Sequence, residues 1–259
     1  MNSNIKTTIS AGGKLANPDR QVAKTINSSR KIALVAGILY LLTFVSIPTL
    51  SIYGSVKSAN YILGAGPDTS AVIGGILEII VALAGIGTAV VLFSVLKKQN
   101  EGLALGLVAA RILESGTIFV GVAFLLSIVT LRQNGAGADA LGASQALVAL
   151  YDRIFLLGQS FMPAICDLLL GFLLYQSRLV PRALSLIGLV GGPLLIAGYI
   201  AVMFGLIGQR APLAGLSAVP VALFEFSLGV WLIVKGFNPS AITFQATRTS
   251  NLVAEPLVP

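Results

Sequence analysis

Apolar residues fall in six long runs separated by short polar breaks. The runs cover about 32–53, 72–96, 103–130, 147–175, 183–207 and 213–234. A membrane-spanning helix needs about 20 mostly apolar residues, so each run is long enough to cross a bilayer. The breaks carry turn chemistry: Gly64-Ala65-Gly66-Pro67-Asp68, Lys97-Lys98-Gln99-Asn100, Arg132-Gln133-Asn134-Gly135, the stretch from Arg178 to Arg182, and Gly208-Gln209-Arg210. The third and fourth runs exceed a bilayer's thickness, which predicts tilt, kinks or an interfacial extension. The pattern predicts an all-α integral membrane protein, a bundle of six transmembrane helices over 32–236. A polar tail over 1–31, rich in Ser, Asn, Thr and Lys, is expected to be disordered, and 237–259 forms a second tail. No Ala-x-Ala site follows the first run, so it is read as a retained anchor.

Composition points the same way. Of 259 residues, 56% are hydrophobic and 10% charged, where a soluble domain carries roughly a quarter charged residues. So little charge cannot cover the surface of a soluble fold. Histidine is absent, which removes His-dependent triads and His-ligated zinc or haem. Cys166 is the single cysteine, so an intramolecular disulfide, a four-Cys zinc site and a CxxC motif are excluded. No cofactor is expected.

Lysine and arginine orient the chain. With the N-terminus inside, the cytoplasmic segments hold twelve: Lys6, Lys14, Arg20, Lys24, Arg30, Lys31, Lys97, Lys98, Arg178, Arg182, Lys235 and Arg248. The opposite side holds three, Lys57, Arg132 and Arg210. Both termini are therefore expected in the cytoplasm. Tyr53 and Tyr151 are read as anchors at the outer interface, Tyr175 and Trp231 at the inner one. The formal charge of +7 is accounted for by topology and anionic lipid headgroups, and no nucleic-acid partner is expected.

Ionisable groups inside spans cost about 2.5–3.5 kcal/mol each on insertion scales, which makes them the informative residues. They are Glu78, Arg111, Glu114, Asp152, Arg153, Asp167 and Glu225. At 1.5 Å of rise per residue, Arg111 and Asp167 lie about 12 and 13 Å from the inner ends of their helices, with Glu114 and Glu225 near the midplane. These four are expected in one inner-to-middle tier, with Arg111 buried against at least one of the acids. Glu78, Asp152 and Arg153 make a candidate outer tier. Asp152, Gln159, Pro163, Cys166 and Asp167 fall within about 60° of one helical stripe, which would face protein or water. Two readings of this polar network stand side by side: a buried set that fixes helix packing, and a lined path or binding cavity.

Other features read as packing or fail as chemistry. Pro48, Pro163, Pro193 and Pro220 lie inside spans, where each frees a carbonyl and can kink its helix. Gly102-x-x-x-Gly106, Gly188-x-x-x-Gly192 and the series Ala197, Ala201, Gly205 permit close helix contact. Gly135-Ala136-Gly137-Ala138-Asp139 superficially resembles the Gly-x-Gly-Asp element of intramembrane aspartyl proteases, but Ala138 breaks the spacing. No Walker A loop, dinucleotide fingerprint or nucleophile elbow occurs.

Arg111-Ile112-Leu113-Glu114, Phe155-Leu156-Leu157-Gly158, the run from Gly171 to Arg182 and Gly188 to Leu194 together resemble the bacterial domain-of-unknown-function 4386 family. The resemblance covers roughly residues 30 to 236, and members commonly carry Arg where this chain has Gln176. It implies a multi-pass protein of the bacterial plasma (inner) membrane and assigns no activity. Within the most specific run, Arg178 and Arg182 bracket Pro181, and either contact lipid phosphates, pair with inner-loop acids such as Glu101, or only hold the loop on the inner side by charge.

The sequence thus supports a non-enzymatic membrane protein with a charge-paired bundle and an unknown membrane partner or homo-oligomeric state. The alternative is a small ion- or proton-coupled permease working through Glu78, Glu114, Asp167 and Glu225.

Overall fold

A computed structural model describes residues 18–244, with side chains from residue 26 onward. Among these residues the fold is helical throughout. Eight α-helices follow in order: α1 (Pro18–Leu42), α2 (Thr49–Ile52), α3 (Thr69–Leu96), α4 (Glu101–Gln133), α5 (Leu141–Phe155), α6 (Met162–Ser177), α7 (Arg182–Met203) and α8 (Pro212–Val234). They supply six segments long and apolar enough to cross a membrane: Ile26–Ile52, Thr69–Leu96, Glu101–Gln133, Gly137–Ser177, Arg182–Met203 and Pro212–Val234. Large apolar side chains such as Leu83, Leu105, Leu113, Val190 and Leu216 point outward and are more than half exposed, as a lipid-facing surface requires.

The helices form a ring. α3 packs on α1 and α4, α4 on α5 and α6, α7 on α6 and α8, and α8 closes back on α1. The closure is tight, because a Cβ on Gly37 of α1 would come within 2.7 Å of the Gly229 carbonyl on α8. Arg30 fastens the same seam by donating to the Leu232 and Ile233 carbonyls at 2.8 and 2.5 Å. These are carbonyls that a helix end leaves without an intrahelical partner. Ser115 Oγ donates to the Ala82 carbonyl at 2.8 Å and ties α4 to α3. Of the small-residue spacings, the pair in α7 makes the closest approach. A Cβ on Gly188 would sit 2.8 Å from the Phe224 ring, and one on Gly192 would sit 2.6 Å from Leu168 Cγ. Gly102 and Gly106 face nothing nearer than 3.5 Å.

Local chemistry explains where the helices start and bend. Asn100 caps α4 by accepting from the Leu103 amide at 3.0 Å, with Glu101 in the first turn where the helix dipole favours an acid. Pro48 and Pro163 break their spans: a 3₁₀ turn at Thr43–Ser46 precedes the first, and a π turn at Leu156–Phe161 precedes the second. Each proline lacks the N–H that would close the ladder. Pro193 and Pro220 lie inside continuous helices.

Three expectations require correction. The segment read as a disordered tail over 1–31 is helical from Pro18, where α1 begins, while residues 1–17 lie outside those described. The tail read as starting at 237 packs back instead: Phe237 and Ile242 are buried and the Asn238 amide donates to the Leu179 carbonyl at 2.8 Å. Residues 245–259 lie outside those described. Tyr53 and Tyr151 are not surface anchors, since both are buried with their rings edge to face at 5.6 Å. The segment 53–68 folds inward as a lid that packs Tyr53, Val56 and Tyr61 against Leu125, Ile128 and Val129.

Candidate functional site

Inside the ring, four charged side chains from three helices converge. α4 carries Arg111 and Glu114 one turn apart, α6 carries Asp167 and α8 carries Glu225. Arg111 Nη1 donates to Glu114 Oε2 at 3.0 Å, and Nη2 donates to Glu225 Oε1 at 2.5 Å. The same Nη2 lies 4.0 Å from Asp167 Oδ1. The guanidinium also lies over the Tyr40 ring of α1, 5.7 Å from its centroid. Cys166 Sγ approaches Glu114 Oε2 at 3.5 Å, which makes the thiol a neighbour of the cluster rather than a separate site. Arg111, Glu114 and Asp167 are all buried.

The charge count within this cluster is uneven. Three carboxyls surround one guanidinium, so full ionisation would leave two negative charges uncompensated where water is scarce. Asp167 is 0% exposed, and neither of its carboxyl oxygens has a hydrogen-bond partner among the described residues. A group left in that state opposes folding.

The cluster borders a cavity of about 250 Å³. Arg111, Glu114 and Glu225 line it with Ser115, Gln159, Ser160 and Tyr199, while Asp167 lies behind the wall. A second cavity of about 480 Å³ lies toward the face carrying the 53–68 segment, lined by Lys57, Tyr151, Asp152, Gln209 and Arg210. Tyr199 and Ala218 wall both cavities. On the opposite side, toward the face that holds the helix end at Val234, Leu92, Leu96, Leu107, Leu170, Leu173, Leu174 and Leu228 fill the bundle and are essentially unexposed. The polar space is therefore stacked on one side of the cluster, and an apolar plug closes the other.

The outer tier expected from the sequence is divided in the structure. Glu78 is fully buried and accepts from the Tyr151 hydroxyl at 2.9 Å, with no contact to Asp152 or Arg153. Asp152 pairs with Lys57 at 2.6 Å and with Arg210 at 3.7 Å, both from loops. Burial pulls the Lys57 ammonium below its usual range, and Asp152 partly offsets this. Arg153 turns to the surface and donates to Gln209 Oε1 at 3.3 Å. A π turn at Leu156–Phe161 interrupts the span that carries the stripe from Asp152 to Asp167, yet Asp152 lines the second cavity, Gln159 and Pro163 line the central one, and Cys166 and Asp167 face the cluster. Gln159 sits within that turn and lines both the central cavity and the crevice beside Glu78. Arg178 and Arg182 lie at the far end of the bundle from this site, flanking the α6–α7 turn.

Sequence reasoning missed Lys57, Tyr199 and the partners of Asp68. Asp68 accepts from Gln133 at 2.9 Å, from Tyr61 at 2.5 Å and from Arg132, which also donates to the Gly66 carbonyl. Burial, helped by Asp68, pushes the Tyr61 phenol up to about 12, so it stays a donor. At Asp68 burial acts against the charge, but the bonds from Tyr61, Gln133 and Arg132 outweigh it and hold the carboxyl below its usual value. A depressed carboxylate contributes stability that is complete above its unfolded value, about 3.9, and is lost as pH falls through the lower folded value. Unfolding midpoints followed down to strongly acid pH should show this loss in the native protein and not in Asp68→Asn. The difference should stay below about 1 kcal/mol, because the pair is partly solvated. Parallel pH profiles for the two proteins would show that the clamp does not hold.

These features define a multi-pass helical membrane protein with a charge cluster enclosed by its bundle. Residues 35–236 match the family described as Domain of unknown function (DUF4386), and the chain belongs to that family. No curated protein and no solved structure matches it. Among the described residues no group of His, Cys, Asp and Glu has the arrangement to hold a metal ion.

Proposed function

We propose that this protein is a permease that exchanges protons for a small monovalent organic cation at the Arg111 cluster. The observation that carries the reading is the excess of carboxyls: Glu114, Asp167 and Glu225 gather around a single guanidinium beside a cavity. Protons and a cation both relieve the same surplus negative charge. Each therefore weakens the binding of the other at one set of oxygens, which is the thermodynamic basis of exchange. The stacked cavities offer a route from one face, and the apolar plug blocks the other, as alternating access requires of one resting state. The breaks at Pro48 and Pro163 supply points where helices can move.

Purified protein in weakly buffered detergent should release protons when tetramethylammonium, tetraethylammonium or choline is added. Glu114→Gln and Glu225→Gln should reduce the release. Absence of release with all three cations, in protein that remains folded, would overturn the reading.

A second reading, in which the cluster only fixes helix packing, is favoured by the direct bonds from Arg111 to Glu114 and Glu225. It predicts a change of stability in the same variants and no cation-driven proton release from the native protein.

We also infer that both termini face the cytoplasm of a bacterial plasma membrane, on the strength of the lysine and arginine distribution. In a Cys166→Ser background, Ala138→Cys should react with a membrane-impermeant thiol reagent applied to whole cells, and Lys98→Cys should not. The reverse labelling pattern would invert the topology.

A further inference from the structure

Where α6 ends, Arg178 adopts the left-handed conformation with φ 54° and is the only non-glycine residue with positive φ among those described. Glycine is the usual occupant of such a helix C-terminus, and an L side chain there is strained. The turn sends Leu179 and Val180 into the core and starts α7 at Arg182, with Pro181 before it and no side-chain cap on the first amides. The returning segment 237–244 closes over the turn through the Asn238 bond to the Leu179 carbonyl. Between them lies a cavity of about 510 Å³, with Arg178, Arg182 and Lys235 around it and Trp231 along one wall.

No acid lines this cavity. None of its three cations belongs to an ion pair among the described residues. Glu101, the acid weighed against lipid phosphate in the sequence, pairs with neither arginine. Arg178 and Lys235 follow helix C-termini, where the dipole favours them, but Arg182 is the first residue of α7, where the dipole opposes a cation. Among the described residues no acid balances this local positive charge. Arg182 also lies over the Tyr175 ring at 5.0 Å, which holds the guanidinium plane while leaving its edge free. Tyr175 and Trp231 are the residue types that settle at headgroup depth.

We propose that this cavity binds the phosphate of an anionic phospholipid headgroup, with Arg178, Arg182 and Lys235 as its ligands. The geometry favours the lipid over free phosphate because the cavity stands at the end of the spans, beside the two interfacial aromatics. At that level a lipid's acyl chains can remain in the membrane while its headgroup enters. The inference is independent of any transport by the Arg111 cluster.

The test is native mass spectrometry of the detergent-purified full chain, titrated with phosphatidylglycerol and, separately, with phosphatidylcholine. The protein should bind phosphatidylglycerol more tightly, on the order of a hundredfold, since three cations at roughly 1 kcal/mol each give about 3 kcal/mol. A triple variant, Arg178→Gly, Arg182→Gln and Lys235→Gln, should bind the two lipids alike. Glycine suits the left-handed backbone at 178, so the fold is retained, and an unchanged elution volume and melting temperature verify this. Excess inorganic phosphate should leave lipid binding unaffected. Equal affinity for the two lipids in the native protein, or full preference in the folded triple variant, would overturn the proposal. Displacement of lipid by inorganic phosphate would reassign the cavity to a free anion.

Discussion

Arg111→Leu is expected to destabilise the protein by about 3–5 kcal/mol, the usual loss when one partner of a buried ion pair is removed. The reason lies in what remains. Glu114, Asp167 and Glu225 would face each other with no positive charge between them, and the bonds at 3.0 and 2.5 Å would have no donor. Arg111→Lys should fall between the two, since an ammonium restores the charge without the planar fork that reaches Glu114 and Glu225 together. Reversible unfolding in mixed micelles gives the comparison directly. A loss below about 1 kcal/mol for Arg111→Leu would mean that the acids do not depend on the arginine.

Asp167→Val should move stability in the opposite direction, by about 1–3 kcal/mol. Asp167 is fully enclosed, lacks a hydrogen-bond partner and meets Arg111 only at 4.0 Å. Replacing such a group by an apolar one removes a desolvation penalty and leaves one arginine against two acids, a better balance than one against three. If the acid is retained for proton exchange, the stabilised variant should lose that exchange. Sites that bind and release ions are commonly held at the expense of stability. A variant that is less stable than the native protein by more than about 1 kcal/mol would show that Asp167 supports the fold.

How much of this could be read from the chain follows from which physical quantity each feature depends on. Span number depends on summed hydropathy, and the six apolar runs correspond to the six long helices. Depth depends on rise per residue, so the shared level of Arg111, Glu114, Asp167 and Glu225 was accessible before any coordinates. Rotation about each helix was not accessible, and rotation decides that Asp167 sits behind the cavity wall while Glu225 lines it. The π turn at Leu156–Phe161 has no signature in periodicity beyond the proline that follows. Long-range pairs were also hidden. Lys57 and Asp152 are 95 residues apart and meet only because the lid segment folds inward. Lys57 looked like an unremarkable exception to the charge bias, although an intramembrane aspartate near an interface does call for such a partner. The polar appearance of 237–244 concealed Phe237 and Ile242, two isolated apolar residues whose burial depends on the α6–α7 turn.

The central claim is that the carboxyl surplus at Arg111 exchanges protons for a cation. Its most direct test is luminal pH in sealed proteoliposomes carrying a trapped pH indicator. Tetramethylammonium, tetraethylammonium or choline is added outside, with protein-free vesicles and Glu225→Gln as controls. The native protein should alkalinise the lumen with at least one of these cations, because each cation that enters releases a proton outward, and Glu225→Gln should not. Flat luminal pH with every cation, from protein shown to be folded in the vesicles, would contradict the account and leave the cluster as a packing device.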